Sequence, residues 1–184
     1  MVTHSTLVSD IVQYNPISIM VQPVIKIKLS KSDFLLELAG LMALAGLIVL
    51  PLFYYSELPD RIPSHLNAGG QVDSFNGKGV IFLLPVMGVM LYFGLSVLNR
   101  YPHIFNYPVK VTADNAVKLY TIATRTVRII KVIMAVSFAF FTYRMIDIGL
   151  NGATGTGWWF VPVFVILIFG TLIIMIRKMM KLKA

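Results

Sequence analysis

One short, polar stretch of the sequence carries the side chains best suited to chemistry. The segment 54–79 lies between two long apolar stretches and contains His65, Asn67, Asp73 and Lys78. Imidazole and carboxylate groups bind several divalent metals, so His65 and Asp73 are candidate metal ligands. The Lys78 ammonium can instead hold an anionic group. The segment therefore predicts a polar ligand-binding cluster or, alternatively, a metal-dependent membrane enzyme.

A purely structural interpretation of the same segment is also open. Its carboxylates can pair with Arg61 and Lys78, and Asn67 can stabilise a turn through its own backbone hydrogen bonds. One histidine with scattered carboxylates lacks the ligand spacing of a HExxH helix or an EF-hand loop. The residues alone therefore do not establish a cofactor or catalysis, and no catalytic residue is predicted.

The composition places this segment in a membrane protein. Of the 184 residues, 57% are hydrophobic and 13% are charged, against about 45–50% and about 25% in soluble domains. A membrane-spanning helix needs about 20 mostly apolar residues. Four segments meet this requirement: 34–55, 79–99, 129–148 and 157–176. We therefore predict an all-α integral membrane protein with four transmembrane helices.

The remaining segments complete the predicted organisation. Residues 1–32 form an N-terminal segment, residues 33–178 the four-span membrane domain, and residues 179–184 a basic tail. Met20 is a second candidate start codon beside Met1. These divisions place one polar segment, 54–79, inside an otherwise apolar domain.

An additional amphipathic helix is predicted from Thr112 onward. Thr112 or Asp114 can cap its first turn, and apolar side chains recur along one face. Its basic residues are typical of contact with anionic lipid headgroups. We expect this helix to run along the cytoplasmic face of the membrane before the third span begins.

The basic residues indicate how the chain is oriented. Thirteen of the 16 lysines and arginines fall on one side of the predicted spans, and only Arg61, Lys78 and Arg144 lie on or near the other. Because cytoplasmic loops are enriched in Lys and Arg, both termini are predicted to be cytoplasmic and the segment 54–79 to face outside. The net charge of +8 therefore indicates orientation and not a nucleic-acid partner.

Two charged residues lie near the outer end of the third span. Arg144 and Asp147 are three positions apart, so they share a helix face and can pair. They either sit together at the outer interface, or Asp147 faces the segment 54–79 and joins Lys78 or His65.

The sequence LPDRIPSHLNAGGQVDSFNGKG resembles the motif of a bacterial membrane family of unknown function, the DUF1648 family. The motif positions are occupied here by Leu58, Pro59, Ile62, Pro63, His65, Asn67, Gly70, Asp73 and Lys78. Leu66 replaces the aromatic residue that usually follows the histidine. The resemblance extends over about residues 26–148 and includes the run Ala123, Arg125, Arg128 and Lys131.

This resemblance implies a function that the residues alone do not. The domain also occurs in SdpI-type membrane proteins, which are implied to protect a cell from a secreted peptide toxin and to relay its presence to a repressor. The implied partners are the lipid bilayer, a secreted peptide or small ligand at the segment 54–79, and a cytoplasmic regulator at residues 100–128. The implied location is the bacterial inner membrane, and the sequence is compatible with a homo-oligomer.

Overall fold

The computed structural model describes residues 22–67 and 69–182 of the chain. Its architecture is built on four helices: α1 (Lys31–Tyr54), α2 (Leu83–Leu98), α3 (Ala116–Asn151) and α4 (Phe160–Met180). All four, with α2 extended by the preceding 3₁₀ turn, are long and apolar enough to cross a membrane. The four predicted helices are thus confirmed. Most of the predicted segment 1–32, with its two candidate start codons, lies outside the described residues.

The outer faces of these helices expose large apolar side chains. Leu35 on α1, Met90 on α2 and Ile166 on α4 are each more than half exposed. Contiguous exposed apolar surface of this extent is unusual for a soluble protein. The helices therefore indicate a lipid bilayer environment.

The central helix is α3, which contacts α1, α2, α4 and the first β-strand. It runs without a break for 36 residues. The predicted additional amphipathic helix is therefore not formed as a separate element: its residues are the first turns of α3. Leu119 and Tyr120 in these turns are fully buried, and Ile25, Ile27 and Phe105 pack around them. This packing holds the stretch inside the protein instead of along a membrane surface.

Small residues allow α1 and α2 to approach closely. A Cβ atom added at Gly40 would lie 2.9 Å from a ring carbon of Tyr92, and one at Gly88 would lie 2.5 Å from Leu47. Small residues at such contacts are a common packing device between membrane helices, because they let the backbones come together.

A β-hairpin joins α1 to α2, so the all-α prediction requires a correction. Strands β1 (Arg61–Leu66) and β2 (Val72–Gly77) pair antiparallel. Leu58 and Ile62 anchor the hairpin base, since both are buried in an apolar cluster with Ile146 of α3. This burial and the cross-strand hydrogen bonds order a segment whose polar composition is typical of a loop.

The bundle has two chemically different ends. We call the end that carries β1, β2 and the connection 152–159 the hairpin end. The opposite end, called the basic end, contains the segments 22–30 and 100–115 and the adjoining helix termini.

Candidate ligand-binding site at the hairpin end

His65 and Asp73 face each other across the hairpin. A bulge in β1 shifts the register between Pro63 and His65. The His65 Nδ1 atom lies 2.6 Å from Asp73 Oδ1, and both side chains are well exposed, at 68% and 41%. Because an ionised carboxylate only accepts hydrogen bonds, the imidazole Nδ1–H is the donor in this contact, and Nε2 takes no part in it.

Asn67 organises the turn between the strands. Its side-chain oxygen accepts hydrogen bonds from the backbone N–H groups of Gly69 (2.9 Å) and Gln71 (3.0 Å). Gly70 has φ +73°, a left-handed conformation that favours glycine. The described geometry therefore supports the structural interpretation, in which Asn67 stabilises a turn.

Lys78 lies away from the other three predicted site residues. Its ammonium group is 3.5 Å from the Leu58 carbonyl oxygen and 5.1 Å from the centre of the Tyr55 ring. The structure thus brings His65 and Asp73 together, places Asn67 beside them in the turn, and directs Lys78 toward the base of the hairpin. Asp73 pairs with His65, and not with Arg61 or Lys78 as the structural interpretation allowed.

A cavity of about 290 Å³ lies directly beneath the hairpin. Pro63 to Asn67 and Gly70 form its roof, and apolar side chains of α2, α3 and α4 form its walls. The wall residues are Leu83, Leu84, Phe138, Phe141, Met145 and Val161. Its size is near the lower end of the range of small-molecule pockets, about 300–1,000 Å³. His65 and Asn67, which the sequence singled out, therefore border a binding-sized space that the sequence did not reveal.

Thr156 is a buried residue of the cavity lining. The residue is 5% exposed, and its Oγ1 atom has no hydrogen-bond partner among the described residues. Its backbone N–H donates to the Gly70 carbonyl oxygen at 3.0 Å. A Cβ atom at Gly70 would lie 2.6 Å from the Gly157 carbonyl oxygen, so only glycine permits this close contact. The hairpin turn is therefore fastened to the connection 152–159, and together they close one side of the cavity.

Arg144 and Asp147 support the same connection from α3. Arg144 pairs with Asp147 and also donates to the Gly155 carbonyl oxygen, while Asn151 donates to Asp147 Oδ1 at 2.9 Å. The predicted pairing of Arg144 with Asp147 is confirmed. In this arrangement Asp147 is engaged by Arg144 and Asn151, and the alternative in which it joins Lys78 or His65 is not formed.

The hairpin pair is an incomplete ligand set for a metal. His65 and Asp73 would supply two donors, and metal sites in proteins usually take three or more protein ligands. Across residues 22–67 and 69–182, no group of three His, Cys, Asp or Glu side chains is arranged to hold a metal ion. The predicted divalent metal therefore lacks a third protein ligand among these residues.

The basic end contains an ionic network that the sequence analysis missed. Arg125 Nε lies 2.8 Å from Asp33 Oδ1, Arg128 Nε lies 3.1 Å from Glu37 Oε1, and Lys131 Nζ lies 2.7 Å from Glu37 Oε2. Asp33 and Lys131 are each 2% exposed. Arg128 and Lys131 are therefore buried in the bundle, and all three basic residues pair with carboxylates of α1 instead of facing lipid headgroups as predicted.

Other polar groups complete the surroundings of Lys131. Its ammonium group donates to Ser96 Oγ at 2.8 Å and lies 4.4 Å from the centre of the Tyr92 ring. The Tyr92 hydroxyl lies 3.3 Å from Glu37 Oε2. The spacing of the charged residues in the sequence could have predicted this network. Carboxylates at i and i+4 on α1 and basic residues at every third position on α3 place complementary charges on facing helix surfaces.

The segment 100–115 folds over this end as a packed cap. The Tyr107 hydroxyl donates to the Pro102 carbonyl oxygen at 2.8 Å, and its ring lies beside that of Tyr120. Burial raises the pKa of Tyr107 well above that of an exposed tyrosine, so it stays a neutral donor at physiological pH. The predicted regulator-binding segment is thus an ordered part of the fold.

Comparisons with known proteins confirm the resemblance seen in the sequence. Residues 41–89 match the family model described as "Domain of unknown function (DUF1648)". The matched residues include His65, Asn67, Asp73 and Lys78, but they cover a shorter stretch than the predicted 26–148.

One relative is an uncharacterized protein of the archaeon Archaeoglobus fulgidus, 32% identical over 77 residues. The match covers 38% of this chain and 42% of that protein, so the chain spans less than half the length of its relative. No solved structure matches the chain.

Proposed function

We propose that this protein is a multi-pass membrane protein that binds a ligand at its hairpin end. The observation that carries the proposal is the cavity of about 290 Å³ beneath the hairpin, with apolar walls and with His65 and Asn67 in its roof. A mostly apolar pocket with a few convergent polar groups is the usual form of a binding site. His65 is 68% exposed beside this pocket and is therefore accessible to a ligand.

The hairpin end is proposed to face the outside of the cell. Twelve basic residues of the described part of the chain lie at or beside the basic end. Three of these, Arg125, Arg128 and Lys131, pair with carboxylates of α1, and the remaining nine still outnumber the three at the hairpin end. The positive-inside rule therefore supports cytoplasmic termini and an outward-facing hairpin.

Cysteine labelling tests this orientation, because the natural chain has no cysteine. Asp60→Cys lies beside β1 and Lys181→Cys follows α4. We expect a membrane-impermeant maleimide to label Asp60→Cys in intact cells and Lys181→Cys only after the membrane is permeabilised. The reverse pattern would overturn the orientation.

Thermal stability in the presence of candidate ligands tests the binding function. The purified protein is heated in constant detergent with a panel of amphipathic peptides and single-chain amphiphiles. A ligand at 100 times its Kd stabilises the folded state by about 2.7 kcal/mol. We expect at least one panel member to stabilise the wild type but not Val161→Trp, which places an indole at the cavity wall.

A matched variant controls for the new tryptophan. Val163 lies on α4 with 43% exposure, against 42% for Val161, but does not line the cavity. Val163→Trp should therefore respond to ligands as the wild type does. If Val161→Trp also responds like the wild type to every stabilising compound, the cavity is not the binding site.

The resemblance to SdpI-type proteins supplies the physiological role that we propose for this binding. A secreted peptide toxin would contact the outward-facing hairpin, where His65 is exposed, and residues 100–128 would relay its presence to a cytoplasmic regulator. The resemblance alone supports a bacterial inner membrane, because the relative from Archaeoglobus fulgidus is archaeal. Growth of a toxin-sensitive host expressing the wild type or His65→Ala tests this role: protection by both, or by neither, would contradict it.

The geometry supports a metal-dependent enzyme less well than it supports a binding protein. His65 and Asp73 hydrogen-bond each other at 2.6 Å and are both exposed. A catalytic metal site requires further ligands and a cavity that limits water access. Among the described residues, the geometry gives more support to binding.

A further inference from the structure

We infer that the cavity beneath the hairpin holds the acyl chain of a membrane lipid, which enters from the bilayer. The inference rests on the proposed binding function and names the class of ligand for that site. Three observations carry it: the position of the cavity walls, the exposure of its rim, and the polar side chains at its upper end.

The cavity walls belong to the parts of the helices that are apolar enough to span a membrane. Leu84 is in α2, Phe138 and Met145 are in α3, and Val161 is in α4. Phe138 and Met145 are two helical turns apart, so the α3 wall extends about 10 Å along the bundle axis. The cavity therefore lies at the depth of lipid chains, directly below the hairpin.

The rim of the cavity is continuous with the apolar outer surface of the bundle. Leu83 and Val161 line the cavity and are also 56% and 42% exposed. Neighbouring residues on the same helices, such as Val86 and Val165, are exposed as well. An aliphatic chain can thus pass from the surrounding lipid into the cavity without crossing a polar barrier.

The upper end of the cavity is its polar end. His65 and Asn67 form part of the roof, and the His65 side chain is 68% exposed. A lipid headgroup would lie beside these side chains on the hairpin, with its acyl chain against the apolar walls below.

A peptide fits the cavity interior less well than an acyl chain does. Every residue of an inserted peptide would bring a backbone N–H and a C=O group, and each costs about 1–3 kcal/mol when it is buried without a partner. The lining contains no Asp, Glu, Lys or Arg, and the Ser64 hydroxyl is already engaged by Ser74 and Asn76. An acyl chain brings no hydrogen-bonding groups along its length and matches the apolar walls.

Photo-crosslinking to a lipid probe tests the inference. The full chain is reconstituted into vesicles of phosphatidylethanolamine and phosphatidylglycerol that contain a trace of phosphatidylglycerol with a diazirine in one acyl chain. After irradiation, the adducts are located by mass spectrometry. We expect adducts enriched on cavity-lining residues such as Phe141 and Met145, in excess of those on the exposed outer faces of α1 and α4.

One variant with a matched control makes the result specific. Val161→Trp should abolish most cavity adducts, whereas Val163→Trp should leave them unchanged. Circular dichroism confirms that each variant folds.

The outcomes separate this inference from the proposed function. Adducts spread evenly over the exposed helix faces, and equal in the wild type and Val161→Trp, would overturn the lipid assignment. If a peptide still stabilises the wild type but not Val161→Trp in that case, the cavity is a peptide site and the binding function stands. If no panel member distinguishes the two proteins either, both proposals are wrong.

Discussion

The two ends of the bundle each contain an acidic and a basic side chain at hydrogen-bond distance, but in opposite surroundings. At the hairpin end, His65 and Asp73 are 2.6 Å apart and exposed. At the basic end, Glu37 is 2.7 Å from Lys131, and Lys131 is only 2% exposed. Distance alone therefore does not distinguish a surface pair from an internal one.

The difference in burial separates their roles. Exposed ion pairs contribute about 0–1 kcal/mol, because water and salt screen them and the side chains lose conformational freedom. Removing one partner of a buried pair costs about 3–5 kcal/mol, because the other charge is left uncompensated. The basic-end network therefore holds α1, α2 and α3 together, whereas the hairpin pair is available to a ligand.

The largest predicted effect is the loss of stability that follows the removal of the Glu37 carboxylate. Glu37→Gln leaves Lys131 without its carboxylate and weakens the contact with Arg128, so we expect a loss of about 3–5 kcal/mol in the free energy of unfolding. Unfolding in mixed detergent micelles, followed by circular dichroism, measures it. The matched control Glu57→Gln alters an exposed carboxylate and should change stability by less than about 0.5 kcal/mol. Equal small losses in both variants would mean that the network does not stabilise the bundle.

A double-mutant cycle sharpens this prediction. Glu37→Leu combined with Lys131→Met removes both members of the closest pair and replaces them with apolar groups. Because no unpaired lysine remains buried, we expect the double variant to be more stable than the sum of the single losses predicts, by about 1–3 kcal/mol. Strictly additive losses would show that the two side chains act independently.

An intermediate effect is expected at the turn of the hairpin. Gly70→Ala requires a left-handed backbone, which costs a non-glycine residue about 1–2 kcal/mol, and brings a Cβ atom against Gly157. We expect faster hydrogen exchange at the Thr156 amide, whose acceptor is the Gly70 carbonyl. The control Gly79→Ala places its Cβ in open space and should leave that exchange rate unchanged. Unchanged exchange in Gly70→Ala would mean that the turn is not held by this contact.

The smallest effect is expected for the hairpin pair. His65→Ala should change the free energy of unfolding by less than about 1 kcal/mol, because the pair is exposed. At 1 M salt the screening length is about 3 Å, so the difference from the wild type should shrink further. The same denaturation experiment measures both values. A loss of stability as large as that in Glu37→Gln would contradict the distinction between an exposed pair at one end and a buried network at the other.

Several features were predictable because they depend on local sequence. The four spans follow from runs of about 20 apolar residues, and the turn follows from Asn67, Gly69 and Gly70. The pairing of Arg144 with Asp147 follows from their spacing on one helix. In each case the interacting groups are close in the chain, so composition and periodicity are sufficient.

Other features depend on partners that are distant in the sequence. The beginning of α3 was predicted to lie along the membrane because its basic residues suit lipid headgroups. In the structure Arg125 instead meets Asp33, 92 positions away. Whether an amphipathic stretch packs on a membrane or on the protein depends on which surface offers it partners. For the beginning of α3, that surface is part of α1.

The sequence by itself thus determined a helical chain of four membrane-length spans, the uneven distribution of its basic residues, and one polar segment that contains His65 and Asp73. Only the tertiary structure decided that this segment is a hairpin, that Thr156 and α4 close a cavity beneath it, and that three basic residues of α3 pair with carboxylates of α1. The physical reason is that hydrophobicity and turn preference act along the chain, whereas cavities and buried charge networks arise only where distant segments pack together.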